Sequence, residues 1–149
     1  MDKSIQEFIL GIINNGKDLT LATIRPDGYP QATTVSYAND GMTIYVAVGK
    51  GSQKADNIRH CNKVSLTINS DYLDWNQIKG LSMGALAEII NDPEEIKHAG
   101  AHMLERYPQV TEWVNSPQMA DVVWLRISPQ IISVLDYEKG FGHTDLVSV

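Results

Sequence analysis

Cysteine is almost missing from this chain. Cys61 stands alone, so no disulfide can form within one molecule, and the default setting is a reducing cytoplasm. Long apolar runs are missing too. None reaches the roughly 18 residues of a membrane-spanning helix. The first segment, MDKSIQEFILGIINNG, breaks its apolar residues with polar ones and offers no small-residue cleavage site, unlike a signal peptide. Positive charge is in deficit: 12 Lys and Arg face 18 Asp and Glu, a formal net charge of −6. That balance argues against general affinity for nucleic acid or anionic membranes, but a small anion needs only local positive potential. Repeats, low-complexity tracts and a sustained βαβ alternation are also absent, which argues against a doubly wound parallel sheet.

What is there is an ordinary globular composition, 43% hydrophobic and 20% charged over 149 residues. It suits one domain, residues 1–149, with a sizeable core. Ser4 and Glu7 have capping-box spacing, and Ile5, Phe8, Ile9, Ile12 and Ile13 repeat at helical intervals up to Asn15-Gly16. From Leu19 the period changes. LTLATIR, QATTVSYA and MTIYVAV predict a three-stranded antiparallel meander over 19–48, with Asp27-Gly28 and Asp40-Gly41 at its turns. A short helix follows from Gln53 to His60, then a strand at Val64–Ile68. A polar connection spans 70–79, and 81–90 reads as a strand. Asp92-Pro93-Glu94-Glu95 starts a helix that runs to Arg106 and ends at Tyr107-Pro108. DVVWLRI and IISVLD read as two strands split by Ser128-Pro129, and the tail from Tyr137 as irregular. The sum is a mainly β (α+β) chain: six or seven antiparallel strands in a small barrel, with two or three flanking helices.

The stretch GKGSQKADNI, residues 49–58, sits where a strand hands over to a helix. Glycines let backbone N–H groups converge, and the helix N-terminus adds partial positive charge. Ser52 offers a hydroxyl, and Lys50 and Lys54 offer full charges. These groups suit a dianionic phosphate. The spacing matches neither GxxxxGK[ST] nor GxGxxG, so by itself it leaves a phosphate seat and a solvated loop both open.

The order of pieces resembles a known family. Asp27-Gly28-Tyr29-Pro30, Asp40-Gly41, Tyr45, Ser52-Gln53-Lys54, Asn57 and Val64-Ser65-Leu66 follow one another as in the pyridoxamine 5′-phosphate oxidase-like, FMN-binding split-barrel family. Trp124-Leu125-Arg126-Ile127-Ser128-Pro129 looks like its late strand, and YEKGFGH looks like the C-terminal segment of some flavin-binding members. The resemblance implies a split β-barrel and FMN as cofactor. Lys54, Ser52 and Gln53 match the phosphate-holding positions. Thr33, Thr34 and Val35 match the strand beside the flavin ring, with the Thr34 hydroxyl a candidate for the ring's N1–O2 edge. Tyr45 and Val46 match the next strand's share of the pocket. Asn57 is either near the phosphate or a structural cap, and Lys50 is an added candidate.

The family also implies a homodimer with flavin at its interface, Trp75, Trp113 and Phe141 being either partner-side contacts or core. The activity implied is an FMN-dependent oxidoreductase, passing hydride or electrons from a small-molecule donor such as NAD(P)H to a small-molecule acceptor. The chain departs from pyridoxamine 5′-phosphate oxidases proper: Pro30 and Val35 stand where those have basic residues, and Arg126 has no Arg-x-His pair near the end to accompany it. The resemblance therefore implies a cofactor and no fixed substrate. Two rivals share the fold: a non-catalytic flavin- or haem-binding module, with His60 or His143 as haem ligand, and a deazaflavin-dependent reductase.

Other groupings carry less. His98 and His102 are spaced i, i+4 on a helix, but no HExxH motif accompanies them and no third ligand is evident, so no metal is assigned. Cys61 beside His60 does not make a facing pair. Asp71 and Asp74 suit turns and caps, and Ser36-Tyr37 has no accompanying base.

Overall fold

The computed structural model describes residues 1–113, 116, 117 and 119–149. Its first helix, α1 (Lys3–Asn15), is capped by Asp2, whose carboxylate accepts from the Ser4 N–H at 2.7 Å. The cap thus lies two residues before the expected Ser4, and it suits the positive end of the helix dipole. Ile9, Ile12 and Ile13 on one face of α1 are buried.

The strands are β1 (Asp18–Ile24), β2 (Pro30–Ser36), β3 (Ala38–Asp40), β4 (Thr43–Gly49), β5 (Lys63–Asn69), β6 (Lys79–Ile90), β7 (Val122–Asp136) and β8 (Thr144–Ser148). They form one antiparallel sheet in the order β2-β1-β5-β6-β7-β4-β3, with β8 added on β7. This is a curled sheet of the split-barrel type, flanked by α1, α2 (Gln53–His60) and α3 (Pro93–Arg106). Gly28 and Gly41 adopt φ of 91° and 58° in the β1–β2 and β3–β4 turns, the conformation such tight turns ask of glycine. No described helix is long and apolar enough to cross a membrane.

Three local expectations are corrected. The 19–48 region is not a three-stranded meander. β1 pairs with β2 and β5, whereas β4 pairs with β3 and β7. The break falls at Tyr37, which is fully buried, with its hydroxyl donating to the Ile13 carbonyl at 2.6 Å. Burying that side chain turns the chain out of β2, so the one strand expected over 31–38 becomes two.

Ser128-Pro129 does not split a strand. β7 runs through it, with a register shift opposite Gly84/Ala85 that leaves Gln130 as the extra residue. On the other edge of β7, pairing with β4 ends at Ile127 and pairing with β8 begins at Ile131. Proline lacks an N–H, and here it sits where one neighbour has left and the next has not arrived. The tail is also ordered: β8 pairs with the second half of β7.

A single large cluster fills the sheet's concave side, including Leu21, Ile44, Leu66, Met83, Leu125 and Ile127. Tyr37 bolts α1 to it, and the Arg106 guanidinium lies 4.3 Å from the centre of the Tyr37 ring. Gly16 is required here for space, since a Cβ would fall on Tyr37 Oη and within 2.9 Å of Ile68 Cγ2.

Gly16→Ala should therefore lower stability by about 1–3 kcal/mol in urea unfolding, as overpacking does. Tyr37→Phe should cost less, about 0.5–1.5 kcal/mol, because Arg106 also donates to the Ile13 carbonyl. Burial raises the Tyr37 pKa above its ordinary value of 10, partly offset by Arg106. The fold thus favours the neutral phenol, and that contribution is complete below pH 10 and lost as pH climbs through the raised value. Wild-type stability measured against alkaline pH should fall more steeply than that of Tyr37→Phe.

Candidate functional site

The junction 49–58 folds as a turn followed by a helix. The Ser52 N–H donates to the Gly49 carbonyl at 3.0 Å, and the Ser52 hydroxyl accepts from the Ala55 N–H at 3.2 Å, capping α2. Neither Gly49 nor Gly51 has positive φ. A Cβ on Gly51 would enter open space and one on Gly49 would make ordinary contact, so the backbone itself does not demand these glycines. The first helical hydrogen bond of α2 is from the Asp56 N–H to the Ser52 carbonyl. The N–H groups of Gln53 and Lys54 precede it and have no acceptor within the helix.

Beside this corner is a cavity of about 730 Å³. Ser52 and Lys54 are among its lining residues. Val35 and Ser36 of β2 contribute, as do Ala47, Val48 and Gly49 of β4, and Trp124 of β7. α3 contributes through Gly100, Met103 and Leu104, followed by Val110, Thr111 and Met119. The lining is chiefly apolar, and Lys54 has no ion-pair partner among the described residues. Of the cofactor-site residues expected from the sequence, Val35, Ser52 and Lys54 line this space together.

The others lie elsewhere. Asn57 is fully buried and its amide braces α2 to the sheet. Nδ2 donates to Thr23 Oγ1 at 2.9 Å and Gln31 Oε1 at 3.1 Å, while Oδ1 accepts from Gln53 Nε2 at 2.8 Å. The structural reading of Asn57 therefore prevails, and Gln53 spends its side chain on the same brace. Lys50 is exposed, its carbonyl accepting from Arg59. Thr34 is exposed on the outer face of edge strand β2. Thr33 points the other way, its hydroxyl oxygen buried without a partner. Val46 is fully buried in the main core. Tyr45 is buried under α3 in a small cluster with Ile90 and Ala99, its hydroxyl donating to Glu95 at 3.2 Å. Burial first, and Glu95 second, raise its pKa above the ordinary value.

Arg126 is committed. It bonds Glu95 and, at 2.6 Å, Glu88, and the Glu95 bond foremost raises its pKa. Paired with two carboxylates, it offers no spare charge for an anionic substrate. His60 is exposed at the end of α2, and His143 is paired to Asp145 at 3.0 Å; neither lines the cavity. Trp75, Trp113 and Phe141 are 67%, 53% and 75% exposed, which removes the core reading for all three. Asp71 and Asp74 are exposed in the 70–79 connection.

Sequence reasoning missed the α3 wall and Trp124. The i, i+3, i+4 set Gly100, Met103, Leu104 was available as a signal, but a face of such mixed size reads as ordinary helix packing. Trp124 lies opposite Ala47 across the β4–β7 ladder, a pairing visible only once the strand order is known.

Comparison with known proteins gives this geometry a context. The model of a family described as pyridoxamine 5′-phosphate oxidase matches residues 3–136. General stress protein 26 of Bacillus subtilis (strain 168) is 24% identical over 134 residues, 90% of each chain. A crystal structure of a conserved hypothetical protein from Mycobacterium tuberculosis is 31% identical with a TM-score of 0.77, covering 100% of this chain and 92% of that one. A heme binding protein from Mycobacterium smegmatis has a TM-score of 0.82 at 21% identity, covering 99% of this chain. This chain spans only 59% of that protein's length.

The brace at Asn57 can be tested apart from any ligand. Asn57→Ala should strand Thr23 and Gln31 and lower stability by about 1–3 kcal/mol, read from the urea midpoint. Gln53→Ala, whose lost partner is at the exposed end of the same network, should cost no more than about 1 kcal/mol.

Proposed function

We propose that this chain, which belongs to the pyridoxamine 5′-phosphate oxidase family, binds FMN in the cavity between β2, β4 and α3 and acts as an FMN-dependent oxidoreductase on a small-molecule acceptor. One observation carries the reading: a largely apolar space of about 730 Å³ is lined by Lys54, the one cation among its described lining residues and without an ion-pair partner among them, and by Ser52, the cap of α2. That size lies within the ordinary range of ligand sites, roughly 300–1,000 Å³. The donor set suits a phosphate. Lys54 supplies charge, the Ser52 hydroxyl keeps its proton free to donate because its oxygen accepts from Ala55, and the Gln53 and Lys54 N–H groups stand at the positive end of α2. Val35, Trp124, Met103 and Leu104 offer apolar walls that suit a flat heterocycle and exclude water. The partnerless Thr33 hydroxyl is the added polar group on this side of β2.

FMN, when bound, supplies the hydride and electron chemistry. The residues of this chain hold its anionic end, orient its ring and dry its surroundings. A second copy of the chain is the expected partner, covering the open side of the cavity beside edge strand β2. The donor is of the NAD(P)H class. Burial of the reacting face, not a catalytic side chain, is then the protein's main contribution.

The likeness to a heme binding protein motivates a second reading, a non-catalytic flavin- or haem-binding module. The cavity disfavours the haem form of it, because no histidine is among the described residues that line it.

Protein purified without added ligand should be yellow, with absorbance bands near those of free FMN, and should be bleached by NADH or NADPH without oxygen. Lys54→Ala should bind FMN at least tenfold more weakly, since a lost charge-assisted contact costs about 1.5–3 kcal/mol, with little change in urea midpoint. Retention of flavin by that variant would remove Lys54 as the phosphate anchor. Bound flavin that no nicotinamide reduces would favour the module, a Soret band its haem form, and selective binding of a deazaflavin the related reductase.

A further inference from the structure

His98 and His102 stand one turn apart on α3, and the fold brings Asp40, the last residue of β3, beside them. One ligand atom from each of the three lies within 4.8 Å of the other two. His98 Nε2 is 2.9 Å from Asp40 Oδ2, and the two imidazoles meet edge to face with ring centres 4.5 Å apart. We propose that Asp40, His98 and His102 bind a divalent transition-metal ion of the zinc class, tying edge strand β3 to α3.

The donor chemistry selects the ion. Two neutral imidazoles and one carboxylate suit zinc and its first-row neighbours, whereas magnesium and calcium prefer oxygen throughout. Around zinc at about 2.0–2.1 Å, ligand atoms stand about 3.3 Å apart. The 2.9 Å between His98 Nε2 and Asp40 Oδ2 lies just under that value, the other separations are at most 4.8 Å, and side chains as exposed as these can close the difference by changing rotamer. The side chains of Asp40 and His98 are 59% and 45% exposed, so water or a solute can fill the fourth position.

The surroundings favour the site. Asn39, next to Asp40, is held from two sides, donating to Asn14 Oδ1 at 2.8 Å and accepting from Arg106 at 3.1 Å. That fixes the β3 half of the site before any metal arrives. Arg106, one turn beyond His102, keeps its charge, but its guanidinium is held on the carbonyls of Ile13, Asn14 and Gly16 and does not compete for the Asp40 carboxylate. Tyr45 contacts the His98 ring edge-on at 6.0 Å between centres, which limits that ring's rotation.

The rival account is a plain hydrogen bond between Asp40 and His98, in which His102 has no share. His102→Ala separates the two, since it leaves that bond intact. Zinc titrated calorimetrically into the untagged, EDTA-treated full chain should bind at one equivalent. His102→Ala and Asp40→Asn should each weaken it at least tenfold, and cobalt should give visible absorption bands in the wild type alone. Unfolding midpoints without metal check that both variants fold, and His102→Gln replaces His102→Ala if it does not. Absence of saturable binding at millimolar zinc overturns the proposal, as does affinity unchanged in both variants. The three ligands line no part of the flavin cavity, so the outcome is independent of the flavin reading.

Discussion

The buried amide of Asn57 sets the geometry on which the candidate site depends. It is uncharged, fully enclosed, and satisfied on both atoms by three elements: Thr23 on β1, Gln31 on β2 and Gln53 at the start of its own helix. Sliding α2 by one residue would leave several buried donors and acceptors unpaired, each costing about 1–3 kcal/mol. Apolar contacts alone tolerate such slips. The network therefore fixes where the N-terminus of α2 stands relative to the sheet, and with it Ser52 and Lys54. A short helix with few buried residues of its own gains a defined register in this way.

Charge is placed with similar economy. The chain is acidic overall, and the basic groups around the sheet are mostly spoken for: Arg126 by Glu88 and Glu95, Arg59 by Asp56, Arg106 by backbone carbonyls. Lys54 lines an apolar space with no carboxylate paired to it among the described residues. A cation beside low-dielectric walls attracts an anion more strongly than the same cation in open water. Net charge and site charge thus have opposite signs, and the second matters for a small ligand.

Much of this could be read from the residues. Every strand except β8 overlaps a segment that reads as strand, though β1, β2, β5 and β6 each begin one or two residues earlier than their segments, and α3 starts where Asp92-Pro93 says it should. The helix after Ser52 was legible because a cap, a lysine and a change of period coincide. What could not be read was which strands meet. β1 and β4 each take a partner from far along the chain, and nothing local to LTLATIR or MTIYVAV names β5 or β7. That ignorance hid the cavity wall: Trp124 means little until Ala47 is known to face it. It also hid Asp40, which lies 58 positions from His98 and joins it only because β3 ends against α3. Pro129 misled for the opposite reason. Proline usually ends a strand, but a bulge at a change of neighbour removes the cost of its missing N–H.

The third helix draws these threads together. At about 100° per residue, Ala99 and Met103 point toward the sheet, where Ala99 packs with Tyr45 and Ile90. Gly100 and Leu104 fall to one side of that direction and wall the cavity. His98 and His102, about 40° apart, fall to the other side against Asp40. One helix thus borders both places, although no residue of the His98–His102–Asp40 cluster lines the cavity. Ala99, small and buried against Tyr45 and Ile90, lets the helix lie close to the sheet, so bulk added there would displace it, whereas a Cβ on Gly100 would enter open space.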